Sequence, residues 1–175
     1  MRWIGTEGGP LILIAEAALA AWRGSVSANG RSDYDRACEV DDYVGVIATG
    51  TGDALVLGDE PLDTSWITDE RGGGQLVRWV YADCKDAVRR HVKDLEDELF
   101  TSSGIRFLAQ QPTHYLLDAA VEGSGIAAAD HLTIDLVCGE YLVETCKYQP
   151  DSRTSLLVHR LKLVRSTERF PRGES

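Results

Sequence analysis

The sequence is poor in the residues that announce a metal or catalytic centre. Its four cysteines, Cys38, Cys84, Cys138 and Cys146, form no C-x-x-C pair and have no histidine at ligand spacing. Zinc sites draw on paired soft ligands close in sequence, so no metal site and no disulfide framework is expected, and the thiols read as reduced and partly buried. No Gly-Lys pair occurs, which excludes a P-loop. Gly50-Thr51-Gly52 lacks the third glycine of a dinucleotide fingerprint and opens a strand rather than a helix. Gly123-Ser124-Gly125 falls one residue short on each side of a nucleophile elbow. The histidines, His91, His114, His131 and His159, are scattered and read as surface or hydrogen-bonded structural groups. No apolar run approaches the ~20 residues of a membrane span.

Basic charge is missing from one segment. Between Ser32 and Glu70 there are eleven Asp or Glu and one basic residue, Arg36, so this segment holds the chain's whole net charge of −10. Such a field repels nucleic acid and anionic membranes and speeds encounters with a basic partner. No cofactor is implied by any motif.

The N-terminus, MRWIGTEGGPLILIAEAALAAW, imitates a secretory signal. Glu7 before the apolar run, Glu16 within it and the Gly8-Gly9-Pro10 break argue against that reading. A buried strand over Leu11–Ile14 leading into a short helix through Trp22 explains the same residues, and the expected location is the cytoplasm.

Turn chemistry organises the rest. Tyr43–Ala48 and Asp53–Leu57 predict a hairpin closed by Thr49-Gly50-Thr51-Gly52. Thr64–Ile67 and Gln75–Tyr81 predict a second, with Val77, Trp79 and Tyr81 on its core face and Leu76, Arg78 and Val80 on the other. Val88, Val92, Leu95 and Leu99 recur at helical spacing, predicting one long amphipathic helix over about 85–100, with Asp83 as N-cap and Ser102-Ser103-Gly104 as its end. Strands follow over Ile105–Ala109, His114–Ala119, Leu132–Leu136, Tyr141–Cys146 and Leu156–Val164, with Tyr141–Cys146 pairing back onto Leu132–Leu136. The expected fold is α+β, mainly β, with antiparallel hairpins in both halves. A β-rich part with the acidic segment and helix spans 1–104 and an antiparallel part 105–165, packed as one unit, with a flexible tail over 166–175.

The stretch SDYDRACEVDDY, from Ser32 to Tyr43, raises the question of what its carboxylates do. Asp33-x-Asp35 opens like a calcium loop, but Arg36 and Ala37 stand where an oxygen ligand and a glycine are required. A carboxylate pair for hydrolysis is defined by separation in space and stays open at this level. So do a solvated acidic face and a docking surface for a basic protein. For docking, the candidates are Asp33, Tyr34, Asp35, Asp41, Asp42, Asp59, Glu60, Asp63 and Trp66, aromatic anchors among charges being an interface pattern. A structural share is also expected, with Arg36 pairing neighbouring acids and Cys38 buried. Trp3, Trp22 and Trp79 are expected in the core.

Taken in order, Trp3-Ile4, Gly8-Gly9-Pro10-Leu11-Ile12-Leu13-Ile14, Trp22-x-Gly24, Asp33-Tyr34-Asp35-Arg36-Ala37-Cys38, Leu55-Val56-Leu57-Gly58-Asp59-Glu60-Pro61 and Val77-Arg78-Trp79 resemble the immunity protein 21 family of bacterial polymorphic toxin systems. The later pattern Leu132-x-Ile134-x-Leu136, Gly139-x-Tyr141-x-Val143 and His159-Arg160-Leu161 is similar to that family's C-terminal part. The resemblance implies a non-enzymatic protein that neutralises a cognate toxin domain, and it transfers no contact residue. A small carboxylate- or metal-dependent hydrolase and an acidic regulatory module are the competing expectations.

Overall fold

The computed structural model describes residues 1–27, 30–58, 60–93, 95–127 and 129–167. Within them the chain forms eleven strands: β1 (Trp3–Ile4), β2 (Leu11–Ala15), β3 (Gly45–Thr49), β4 (Gly52–Leu57), β5 (Thr64–Thr68), β6 (Gly74–Tyr81), β7 (Thr101–Ala109), β8 (Thr113–Asp118), β9 (His131–Asp135), β10 (Gly139–Asp151) and β11 (Thr154–Ser166). Three α-helices join them: α1 (Glu16–Leu19), α2 (Asp33–Cys38) and α3 (Lys85–Lys93). The strands make two antiparallel sheets, one of six in the order β1-β5-β6-β11-β10-β7 and one of five in the order β3-β4-β2-β8-β9. The fold is mainly β, and both sheets take strands from either side of residue 104.

Period-two alternation shows how the layers stack. Leu11 and Leu13 of β2, Leu55 and Leu57 of β4 and Leu116 of β8 face Leu76, Phe107, Tyr141, Val143 and Leu161 of the other sheet. Their neighbours Ile12, Ile14, Ala54, Val56 and Leu117 point the other way, onto Ala18 and Leu19 of α1, Trp22 and Ala37 of α2. On the far side, Val77, Leu156 and Val158 pack against Val88 and Val92 of α3. Two sheets lie face to face with helices on both outer surfaces. Strands buried on both faces read as unbroken apolar runs, which is why LILI and ALVL look as they do.

Both predicted hairpins form, β3–β4 with Thr49 opposite Gly52 and β5–β6 with Thr68 opposite Gly74. Four expectations need correction. The helix stops at Lys93, and Asp97–Leu99 is a separate 3₁₀ turn with Leu99 exposed. Glu96, Asp97 and Glu98 would place three carboxylates at the negative end of a longer helix. Leu95 and Phe100 still reach the apolar layer without helical backbone, so the periodicity outran the helix. Ser102, Ser103 and Gly104 lie within β7. Second, β9 pairs with β8, whereas β10 pairs with β7 and β11, so Tyr141–Cys146 belongs to the opposite sheet. Third, Leu76 and Arg78 are fully buried on the side of β6 expected to be open, whereas Tyr81, expected on the core face, is 42% exposed where the strand runs past both layers. Fourth, Cys38 is exposed, because Ala37 takes the sheet-facing position in that turn of α2. All four thiols are free and Cys146 alone is buried. Trp22 is buried at 2% exposure, and Trp3 meets Trp79 edge-on with ring centroids 5.3 Å apart.

Candidate functional site

The acidic segment divides into carboxylates that build the fold and carboxylates that face outward. Ser32 caps α2: its hydroxyl accepts from the Asp35 amide at 3.0 Å, and the Asp35 carboxylate accepts from the Ser32 amide at 2.7 Å. Two orphan amides of the helix start are satisfied reciprocally. The bond from the Ser32 amide, and after it one that the Ser32 hydroxyl donates to the same carboxylate at 2.8 Å, hold the Asp35 carboxyl below its ordinary range. Asp33 accepts from the Arg23 amide at 2.9 Å and pairs with Arg36 at 3.0 Å, the intrasegment ion pair expected from sequence. Arg36 also donates to the carbonyl of Ala48, tying α2 to the β3–β4 hairpin. Tyr34 packs half-buried against the layer beneath α2. Its hydroxyl bonds to Cys38, which raises its pKa.

The outward group forms where two loops meet. Arg78, on the inner face of β6, is 1% exposed. Its guanidinium donates to the carbonyls of Gly58 at 2.9 Å and Tyr43 at 3.3 Å, and to that of Glu60. These carbonyls come from two different connections, the one between α2 and β3 and the one between β4 and β5. A Cβ at Gly58 would collide with the carbonyl oxygens of Asp42 and Val40, so the two connections run in direct contact. Asp41, Asp42 and Glu60 are thereby brought together and exposed. Tyr43 between them is half-buried, and the Lys147 ammonium of β10 lies 4.4 Å from its ring centroid. A cation over an aromatic face is favourable and fixes the ring.

Two hollows flank this Tyr43–Lys147 ridge. One, of about 200 Å³, is walled by Glu60, Leu62 and Val80; the other, of about 350 Å³, by Asp42, Val44 and Leu99.

Asp63 and Trp66 are held by other contacts. Asp63 is exposed, and its carbonyl accepts from the Trp79 amide at 2.8 Å. Trp66 packs against the inter-sheet core and donates its indole N–H to Thr68 Oγ1 at 3.1 Å. Asp59 lies outside the described residues. Sequence reasoning missed Arg78, Lys147 and Leu99 as parts of this surface. The available signal was an arginine at the centre of the apolar strand LVRWV, a position that demands buried acceptors.

The histidines are occupied elsewhere. His114 Nδ1 lies 3.3 Å from the Pro112 carbonyl, His131 Nδ1 lies 3.0 Å from that of Ala129, and His91 meets Asp151 at 3.5 Å. His159, fully buried, shares a 3.0 Å hydrogen bond with Thr145 Oγ1, and burial, reinforced by the nearby Arg78 charge, pushes its pKa down to about 3. Among the described residues, no group of three or more His, Cys, Asp or Glu is placed to hold a metal ion. Among them, too, no helix is long and apolar enough to cross a membrane.

A family model for immunity protein 21 matches residues 2–154. The chain belongs to the immunity protein 21 family. That match runs from β1 to the start of β11 and so takes in both loops clasped by Arg78. No curated protein and no solved structure matches this immunity protein.

Proposed function

We propose that this immunity protein neutralises a basic toxin domain by binding it in the cytoplasm, with no chemistry of its own. The docking surface is the acidic segment, centred on Asp41, Asp42 and Glu60 and extended by Asp33, Asp35, Asp59 and Asp63. Part-exposed Tyr34 and Trp66 lie within the same stretch of sequence. The observation that carries the reading is the Arg78 clasp, which gathers exposed carboxylates from two connections onto one end of the sandwich. A basic enzyme domain of a polymorphic toxin system, built to hold phosphates, would meet carboxylates in their place and be occluded. Fields of this kind act mainly through the association rate and are screened by salt.

The test is co-purification with the toxin domain encoded beside it, followed by association kinetics at several salt concentrations. Reversal of Asp41, Asp42 and Glu60 to lysine should slow association on the order of 10-fold or more at low salt and flatten its salt dependence. Unchanged affinity and salt dependence, with Asp33, Asp35, Asp59 and Asp63 also reversed, would overturn the acidic surface. Failure of the pair to bind at all would overturn the binding function.

A further inference from the structure

The two hollows beside Tyr43 share Tyr43 and Lys147, and each adds one carboxylate and one exposed aliphatic side chain. Each opens off the inner face of the six-stranded sheet, where that face extends beyond its cover. Registers put Lys147 opposite Leu157 and Leu157 opposite Arg78, one row across β10, β11 and β6. Arg78 and Leu157 in this row are buried and Lys147 is exposed, so the row marks the edge of the interior. Beyond it, Val80 remains 42% exposed, and on the other side of the ridge Leu99 remains 44% exposed. Single exposed aliphatics are ordinary. Here each one lines a hollow that also holds a carboxylate, Glu60 with Val80 and Asp42 with Leu99. Apolar side chains inside a charged rim are the anatomy of a protein interface; Leu62, Val80 and Leu157 supply them in the smaller hollow, and Val44 and Leu99, among hydroxyl side chains, in the larger.

We infer that the paired hollows on either side of the Tyr43–Lys147 ridge are the anchor sites for one segment of the toxin domain, a segment carrying two apolar side chains flanked by cationic ones. The inference rests on the toxin-binding function proposed above and specifies its contacts. Complementary charge sets the sign of the partner: the rims carry Asp42 and Glu60, with Asp41 adjacent and Glu98 beside Leu99, all exposed. The Lys147 ammonium sits on the ridge itself, so a partner cation is disfavoured at the centre and favoured to either side. The spacing of the cations on the toxin is therefore selected as well as their number. Apolar anchors seated in small hollows supply slow dissociation, while the rim supplies fast association.

The two contributions separate experimentally. Val80→Ser and Leu99→Ser, at positions exposed enough to leave the fold intact, are measured against the toxin domain encoded beside this chain. Val164→Ser, at another exposed aliphatic, is the control. Each hollow variant should raise the dissociation rate about tenfold with the salt dependence of association unchanged, and the control should match the parent. Asp42→Asn with Glu60→Gln should do the reverse, slowing association and leaving dissociation near the parent value. Toxin-induced protection of backbone amides at 42–44, 60, 62 and 99–101 is expected in hydrogen exchange. If the parent binds the toxin while both hollow variants bind within twofold of it and these amides stay unprotected, the anchor sites are refuted and toxin binding stands. If the parent does not bind, both fall together.

Discussion

The Arg78 guanidinium hydrogen-bonds the Gly58 carbonyl at 2.9 Å, joining the interior of the six-stranded sheet to the connection that leaves the five-stranded one. With the carbonyls of Tyr43 and Glu60 also on this guanidinium, one buried cation organises two acidic loops through their backbones. Asp41, Asp42 and Glu60 on those loops stay exposed, Asp42 also accepting from the Tyr43 amide at 2.7 Å. Arg78→Met removes the donors and strands the acceptors, each costing about 1–3 kcal/mol where water cannot replace the bond. Partial rehydration at the loop ends should hold the total to roughly 2–4 kcal/mol, or a fall in Tm of about 5–15 °C for a chain of this size. Thermal unfolding followed by circular dichroism measures it, and a change below about 2 °C would show that the clasp is dispensable.

The contact between the two loops is tested separately at Gly58. A methyl group there meets two backbone carbonyls, which cannot swing aside as a side-chain end could. Gly58→Ala should therefore force the loops apart and destabilise the protein by about 1–3 kcal/mol, as overpacking does. Toxin binding should weaken beyond the loss of folded protein, because Asp42 and Glu60 no longer share one surface. Gly50→Ala, at a position with only the far edge of Ala21 nearby, should leave both stability and binding close to the parent.

Much of this architecture was readable because its causes are local. The β3–β4 and β5–β6 hairpins follow from glycine-bearing turns between β-branched runs, whereas α2, opened by Ser32 with Asp35 three residues on, was not expected, its carboxylates drawing attention as ligands rather than as a cap. The assignment of β9 and β10 to different sheets was not readable. Adjacent alternating strands favour pairing by proximity, and only the crowded inter-sheet core, where Leu132 and Tyr141 meet from opposite sides, separates them. The same limit applies to the site. The acidic excess is a matter of composition, but its arrangement depends on Arg78 and Lys147, which reach Tyr43 from strands far along the chain.

Acid should weaken the fold before the carboxylates titrate. His159 binds a proton at about pH 6.5 when unfolded but only near pH 3 in the fold, so between these values the unfolded state holds more protons. Stability therefore falls as pH is lowered through that window, by at most about 1.4 kcal/mol per pH unit for this group. His114, whose pKa is also lowered by burial, adds a loss of the same sign. Urea unfolding at pH 7.5, 6.5, 5.5 and 4.5 should show this decline, and His159→Gln should make it shallower. An identical slope in the variant would remove His159 as its source.

Divalent metals distinguish the hydrolase expectation from binding alone. A ligand held by the native state raises Tm in proportion to its occupancy. With no group of three ligating side chains assembled among the described residues, magnesium, calcium, manganese and zinc at millimolar concentration should each move Tm by less than about 1 °C. A concentration-dependent rise with one of them would establish a metal site and reopen carboxylate chemistry in this segment.

The carboxylates of SDYDRACEVDDY should divide into two classes when they are neutralised. Asp35 is held below its ordinary pKa by the Ser32 bonds, so its contribution is present above about pH 4 and lost as the pH falls through its folded value. Asp35→Asn should lower Tm at pH 7 and reduce the loss seen below pH 4. Ser32→Ala, which removes the other half of the capping box, should cost about 1 kcal/mol. Asp41→Asn with Asp42→Asn should leave Tm close to the parent, since both side chains are exposed, yet slow association with the toxin domain. If Asp35→Asn impaired binding at unchanged stability while Asp41 and Asp42 proved silent in both assays, the docking surface would belong on α2 instead.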